Sequence, residues 1–158
     1  MTLERTEMRT LQKPNITLLA ADHDRLSALA QAAMYYDPDT AELLTEELER
    51  ARVIDHGQVP RNIVRMSSGI LFRDDTTREI RNITLVFPGE ADIARNRVSI
   101  LTPVGTALIG LRAGQSITWR TRSGELKQLT VLKVTNPEHH NTGFQDLLFR
   151  CSRRILRI

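Results

Sequence analysis

The feature that most limits the folds open to this chain is a change of hydrophobic period near Gly57 and Pro60. Before it, apolar residues recur every three or four positions; after it, they alternate or run in short β-branched blocks. A helical stripe and a strand pattern bury different faces, so the chain must join a helical element to a sheet. Leu26, Leu29, Ala33 and Tyr36 form one stripe, and Ala41, Leu44, Leu48 and Ala51 a second. Stripes of this kind pack helix on helix. Asp22 is expected to cap the first helix, with acids in its first turn that suit the helix dipole. Asp37 is expected to cap the second, with Pro38 at the first helical position, where a missing N–H costs nothing. The two helices then make an antiparallel hairpin whose arms are each about 20 Å long. Glu42, Glu46, Glu47, Glu49 and Arg50 are expected on its solvated outer face.

Behind Pro60 the strand candidates are 63–66, 69–73, 80–87, 98–101, 116–121 and 126–134. Asp74-Asp75-Thr76-Thr77 and Ser123-Gly124 supply turns between them. Pro103 to Ile109 has room for two turns of helix, with Gly110 placed for a left-handed cap. Ile16 to Leu19 reads equally as a short strand or a lead-in. The fold expected is α+β: a short helical hairpin, then a small antiparallel sheet crossed by one short helix. The expected divisions are a loose tail over 1–14, the hairpin over 15–56, the sheet domain over 57–135 and a basic extension over 136–158.

The charge divides with the fold. Up to Pro60 there are six Lys/Arg against eleven Asp/Glu; beyond it there are sixteen against eight, within a net +3. An acidic front and a basic back suggest faces for different partners. Cys151 is the single cysteine, so no disulfide forms within the chain. The charged start MTLERTEMRTLQKP is unlike a signal peptide, and no apolar run approaches the ~20 residues that span a bilayer. A cytoplasmic protein without a membrane partner is expected.

No catalytic constellation emerges. His23, His56, His139 and His140 lack the cysteine partners or spacing of a zinc site. Gly105, Gly110 and Gly114 match neither the Walker nor the dinucleotide pattern. The expectation is therefore no enzyme, no metal, no cofactor and no small-molecule substrate. Three features remain. Tyr36, Asp37 and Asp39 sit at the hairpin tip, where two carboxylates could help hold a divalent cation or merely start the helix. Arg150, Arg153, Arg154 and Arg157 crowd the end of the chain, free in solvent or set against phosphate or an acidic surface. The third is the segment VSILTPVGTALIGLRAGQSITW, residues 98–119.

That segment resembles the C-terminal motif of the Gre transcription elongation factors: a strand ending in I-S-x-x-S/A-P, a small-residue helix with A-L-x-G, then V-G-D and a strand. The short hairpin, a turn-rich linker and RMSSGILFRD resemble the Rnk (regulator of nucleoside diphosphate kinase) subgroup of that family. Leu101 stands where many members carry an acid, and Gln115 where they carry aspartate. The resemblance implies a C-terminal domain like the FK506-binding proteins and a bacterial RNA polymerase partner. It places docking at the strand-to-helix corner Ser99, Leu101, Thr102, Pro103 and Val104, and it leaves room for nucleic acid contact within the complex. Gre hairpins carry acids to the polymerase's own metal site, but an arm of about 20 Å should stop short of it. The expected function is thus a non-catalytic occupant of the secondary-channel entrance that competes with longer factors. The alternatives are Gre-like stimulation of transcript cleavage and nucleic-acid binding through the basic tail. Prolyl isomerase activity would need an aromatic-lined pocket, and only 4% of the chain is aromatic.

Overall fold

The structure is a computed structural model, and residues 13–55 and 60–137 are described. Strand β1 (Thr17–Leu19) leads directly into helix α1 (Ala20–Ala33), and α2 (Pro38–Arg50) runs back into β2 (Arg52–Ile54). β1 and β2 pair in parallel and close the base of the hairpin. The strand reading of Ile16 to Leu19 is therefore the one the chain adopts. Because β1 runs straight into the helix, α1 begins at Ala20, with Leu19 at the N-cap and no side-chain cap. Asp22 is not the cap but lies in the first turn, where its charge still favours the dipole. Asp37 does cap α2, accepting from the Thr40 N–H, and Pro38 follows it.

Most of the hairpin stripe forms as the sequence predicts, but Ala30 joins the buried set while Leu29 and Ala51 are only partly buried. Leu26, Ala30, Ala33, Ala41, Leu44 and Leu48 are buried, but Tyr36 lies beyond the end of α1 and is 66% exposed. Glu47, expected outside, is 3% exposed. It is tolerated there because Lys13 Nζ lies 2.5 Å from one carboxylate oxygen and Arg50 Nε donates to the other at 2.7 Å. A second Arg50 nitrogen donates to the Pro14 carbonyl, tying α2 to the entering chain. A buried carboxylate without such partners would be costly to the fold.

The second element is a five-stranded sheet in the order β5-β4-β3-β7-β6. Its strands are β3 (Gly69–Asp74), β4 (Ile80–Val86), β5 (Arg97–Ser99), β6 (Ser116–Arg120) and β7 (Leu126–Thr135). Three of its four pairings are antiparallel; the edge pair β4–β5 is parallel. Two short 3-10 turns, Pro88–Glu90 and Ile93–Arg95, carry the chain across so that β5 can run alongside β4 in the same direction. The segment 63–66 is not a regular strand. Ile63 makes an isolated bridge to Arg112, the Val64 N–H donates to the Leu111 carbonyl, and Gly110 N–H donates to the Val64 carbonyl. The turn at Gly110 (φ +77) bends its partner away before a ladder can extend. Helix α3 (Pro103–Leu108), with Gly105, Thr106, Ala107 and Leu108 buried, packs against α2 and the edge strand β6.

One apolar core runs through both elements. Leu26, Leu44 and Leu48 of the hairpin join Leu108, Ile109 and Leu111 around α3 and Ile70, Leu85, Leu129 and Val131 of the sheet. Across the same seam, the Arg25 guanidinium lies 4.5 Å from the centre of the Phe87 ring, a favourable cation–π placement. Burial pushes the Asp22 carboxyl above its usual range, against the pull of Arg65 and of the Met66 N–H. Leu44 is fully buried at the seam, so Leu44→Ala is expected to cost about 2–5 kcal/mol and to lower the melting temperature by roughly 5–15 °C in a thermal denaturation scan.

The β3–β4 turn supplies a second test. Asp74 is buried, which pushes its carboxyl up. The Thr76 and Thr77 N–H groups and the Lys127 ammonium more than offset this and hold it below the usual range. A carboxyl depressed in the folded state contributes stability above its unfolded pKa and loses it as pH falls through the folded value. Asp74→Asn should therefore flatten the fall in stability from about pH 4 downward. Urea titrations across that range will read the difference between the two proteins.

Candidate functional site

The corner begins where β5 ends. Ser99 closes the strand, and its hydroxyl accepts from the Leu101 N–H at 3.0 Å. Thr102 then does two jobs with one hydroxyl: it donates to the Ser99 carbonyl at 2.7 Å and accepts from the Gly105 N–H at 3.1 Å, capping α3. Pro103 follows at the first position of the helix, where its ring is favoured. The Thr106 hydroxyl donates back to the Thr102 and Pro103 carbonyls. Each hydrogen bond stays within eight residues of sequence, so the corner is a local, self-bracing turn.

Gly105 permits the turn to be this tight. A Cβ there would lie 2.4 Å from the Ser99 carbonyl oxygen, a backbone atom that cannot swing aside. Of the five corner residues, Ser99, Thr102, Pro103 and Val104 are half-buried, but the Leu101 side chain is only 7% exposed and belongs to the core. What Leu101 presents outward is its carbonyl oxygen, which lies 3.5 Å from Arg122 Nη2.

The hairpin tip is close to this corner. Arg122 Nη2 also lies 3.5 Å from Asp37 Oδ2. The other Asp37 oxygen accepts from the Thr40 N–H at 3.4 Å. Asp37 is thus held on both oxygens, as a helix cap and as an ion pair. Asp39 is exposed in the first turn of α2, and Tyr35 and Tyr36 are exposed before it. The Arg122 contact joins residues far apart in the chain, and no local pattern in the sequence announces it.

Beside the corner, a cavity of about 200 Å³ opens between α2, α3 and β6, with Leu43, Glu47, Pro103 and Trp119 in its wall. Its one buried carboxylate, Glu47, is already taken by Lys13 and Arg50. Among the described residues no three His, Cys, Asp or Glu side chains converge to hold a metal ion, and no helix is long and apolar enough to cross a membrane. His23 has a structural part, with its Nε2 at 3.1 Å from the Leu48 carbonyl. His56, His139, His140, Cys151, Arg150, Arg153, Arg154 and Arg157 lie outside the described residues.

Comparison with known proteins gives this geometry its relatives. Residues 59–136 match the family model "Transcription elongation factor, GreA/GreB, C-term", and residues 14–54 match that of the Rnk N-terminus. The regulator of nucleoside diphosphate kinase of Escherichia coli K12 is 33% identical over 124 residues, which cover 78% of this chain and 91% of that protein. The chain belongs to the Gre/Rnk family. Other members extend the likeness. GreA of Chloroflexus aurantiacus is 34% identical over 137 residues, covering 80% of this chain and 85% of its own length. A GreA/GreB structure from Nitrosomonas europaea superposes with a TM-score of 0.62 at 33% identity, covering 77% of this chain and all of that one. These relatives are named as a regulator and as elongation factors rather than as enzymes.

Gln115 shows how a departure from the Gre motif is accommodated. Its Oε1 accepts from the Arg112 N–H at 2.8 Å, while its Nε2 donates to the Asn15 carbonyl at 3.3 Å. An aspartate could accept at the turn but could not donate to the entering chain. Leu101, the other departure, fills core space that an acid could not occupy unpaired.

The corner's dependence on Gly105 is directly testable. Gly105→Ala forces the Ser99 carbonyl to move and is expected to cost about 1–3 kcal/mol. Gly89→Ala, with nothing within 4 Å of the added Cβ, should leave the melting temperature within about 2 °C of the parent. Parallel thermal scans of the two variants make the comparison.

Proposed function

We propose that this Gre/Rnk-family chain binds bacterial RNA polymerase as a non-catalytic regulator of transcription elongation. In this reading it occupies the secondary-channel entrance through the Ser99–Val104 corner and competes there with longer Gre-type factors. Its partner places it in the cytoplasm. The observation that carries the reading is the state of the hairpin tip: Asp37 is engaged on both carboxylate oxygens, by the Thr40 N–H and by Arg122. A carboxylate so engaged is a poor ligand for a metal on another molecule.

Length and packing agree with this. Helices of 14 and 13 residues extend about 20 Å. Their apolar stripe is also spent on α3 and the sheet, so the hairpin is anchored along its length. Two-metal chemistry needs its ligands within bonding distance of both ions. A short, anchored arm supplies bulk at a channel mouth and leaves the chemistry to the polymerase.

The test pairs binding with cleavage. Purified polymerase core should retain the full chain, and the double replacement Thr102→Ala, Pro103→Ala should lower retention at least tenfold. In stalled elongation complexes the chain should release no RNA cleavage product by itself and should suppress cleavage stimulated by a longer Gre factor. Cleavage that disappears with Asp37→Asn or Asp39→Asn would establish the Gre-like activity instead. Absence of binding would remove the polymerase as partner.

A further inference from the structure

We propose that Arg122 is a positioning residue that sets the hairpin tip against the Ser99–Val104 corner. The inference rests on the docking reading above and adds a residue that lies outside the corner. Three chain segments meet at this guanidinium: the connection between α1 and α2, the bend before α3 and the β6–β7 turn. Nη2 lies 3.5 Å from Asp37 Oδ2 and 3.5 Å from the Leu101 carbonyl.

Both ends of the contact are held by their own surroundings. The β6–β7 turn is closed by the Thr121 N–H on the Glu125 carbonyl at 2.9 Å and the Gly124 N–H on the Thr121 carbonyl at 3.0 Å. Thr121 and Ser123 hydroxyls lie 2.8 Å apart. The base of the Arg122 side chain is thereby fixed. Opposite it, Asp37 is pinned by its cap to Thr40 and Leu101 by its N–H on Ser99.

The remaining side chain is 61% exposed and its partner 24%. An ion pair this open adds little to global stability. It acts instead on geometry: beside the apolar packing of α2 on α3, it helps to hold the tip and the corner in one relative orientation. A partner that touches both at once meets a surface already arranged, and loss of the contact returns that ordering cost to the binding step.

A double-mutant cycle tests the assignment on the full chain. Arg122→Ala and Asp37→Asn (which keeps a capping side chain) should each weaken polymerase binding about two- to fivefold. Combined, they should cost no more than either alone. The loss should shrink at high salt, where exposed pairs are screened. Melting temperatures should match the parent. A loss for Arg122→Ala with none for Asp37→Asn would mean Arg122 contacts the partner directly and would overturn the assignment.

A second measurement is independent of any partner. With Cys151→Ser as background, spin labels at Glu42→Cys and Arg97→Cys report the distance between α2 and the edge of the sheet beside the corner. Arg122→Ala should broaden that distribution. An unchanged distribution overturns the positioning assignment even if polymerase binds. A broadened one supports it even if no polymerase binds, in which case only the docking reading falls.

Discussion

Everything in this molecule depends on one apolar seam, where the short hairpin lays its stripe on α3 and the sheet. Helices of 14 and 13 residues are at the length where an isolated helix in water is marginal. Leu26, Leu44 and Leu48 are buried in one core with Leu108, Ile109 and Leu111. The seam can close only because α3 approaches the end of β5 at Gly105 and because Gly110 lets Ile16 come close. Two glycines thus govern the junction between a hairpin and a sheet that have different periodicities.

Much of this was legible because periodicity is local. The stripes, the Asp37-Pro38 start, the turn at Asp74 and the helix at Pro103 are each written within a few residues, and the structure forms all of them. What escaped was non-local. Glu47 reads as one more glutamate on a charged face until Lys13, thirty-four residues earlier, is brought beside it. Ile63 to Met66 has the composition of a strand, but its partner segment turns at Gly110. The Leu19 start of α1 depends on β2 being present to pair with β1. No sequence window contains those facts.

The candidate site divides along the same line. The Ser99–Val104 corner was named from the Gre resemblance, and the structure shows Thr102, Pro103 and Gly105 in it as a capped helix start. Leu101 was read with them as a contact, yet beyond the end of β5 Ile100 and Leu101 are both buried, and its side chain belongs to the core. The tip acids were readable as acids. Their engagement was not, since the Arg122 that holds Asp37 lies eighty-five residues away in a turn with no motif of its own.

Asp37 also ties the hairpin tip to the domain that carries it. The tip of this short arm lies within reach of that domain, where Arg122 on the β6–β7 turn is 3.5 Å from Asp37 Oδ2. A carboxylate capping a helix and facing a guanidinium has both oxygens in use. In the proposed reading the tip therefore serves as an anchor rather than a ligand, and the same acid that begins the helix helps to fix the hairpin's place beside the corner.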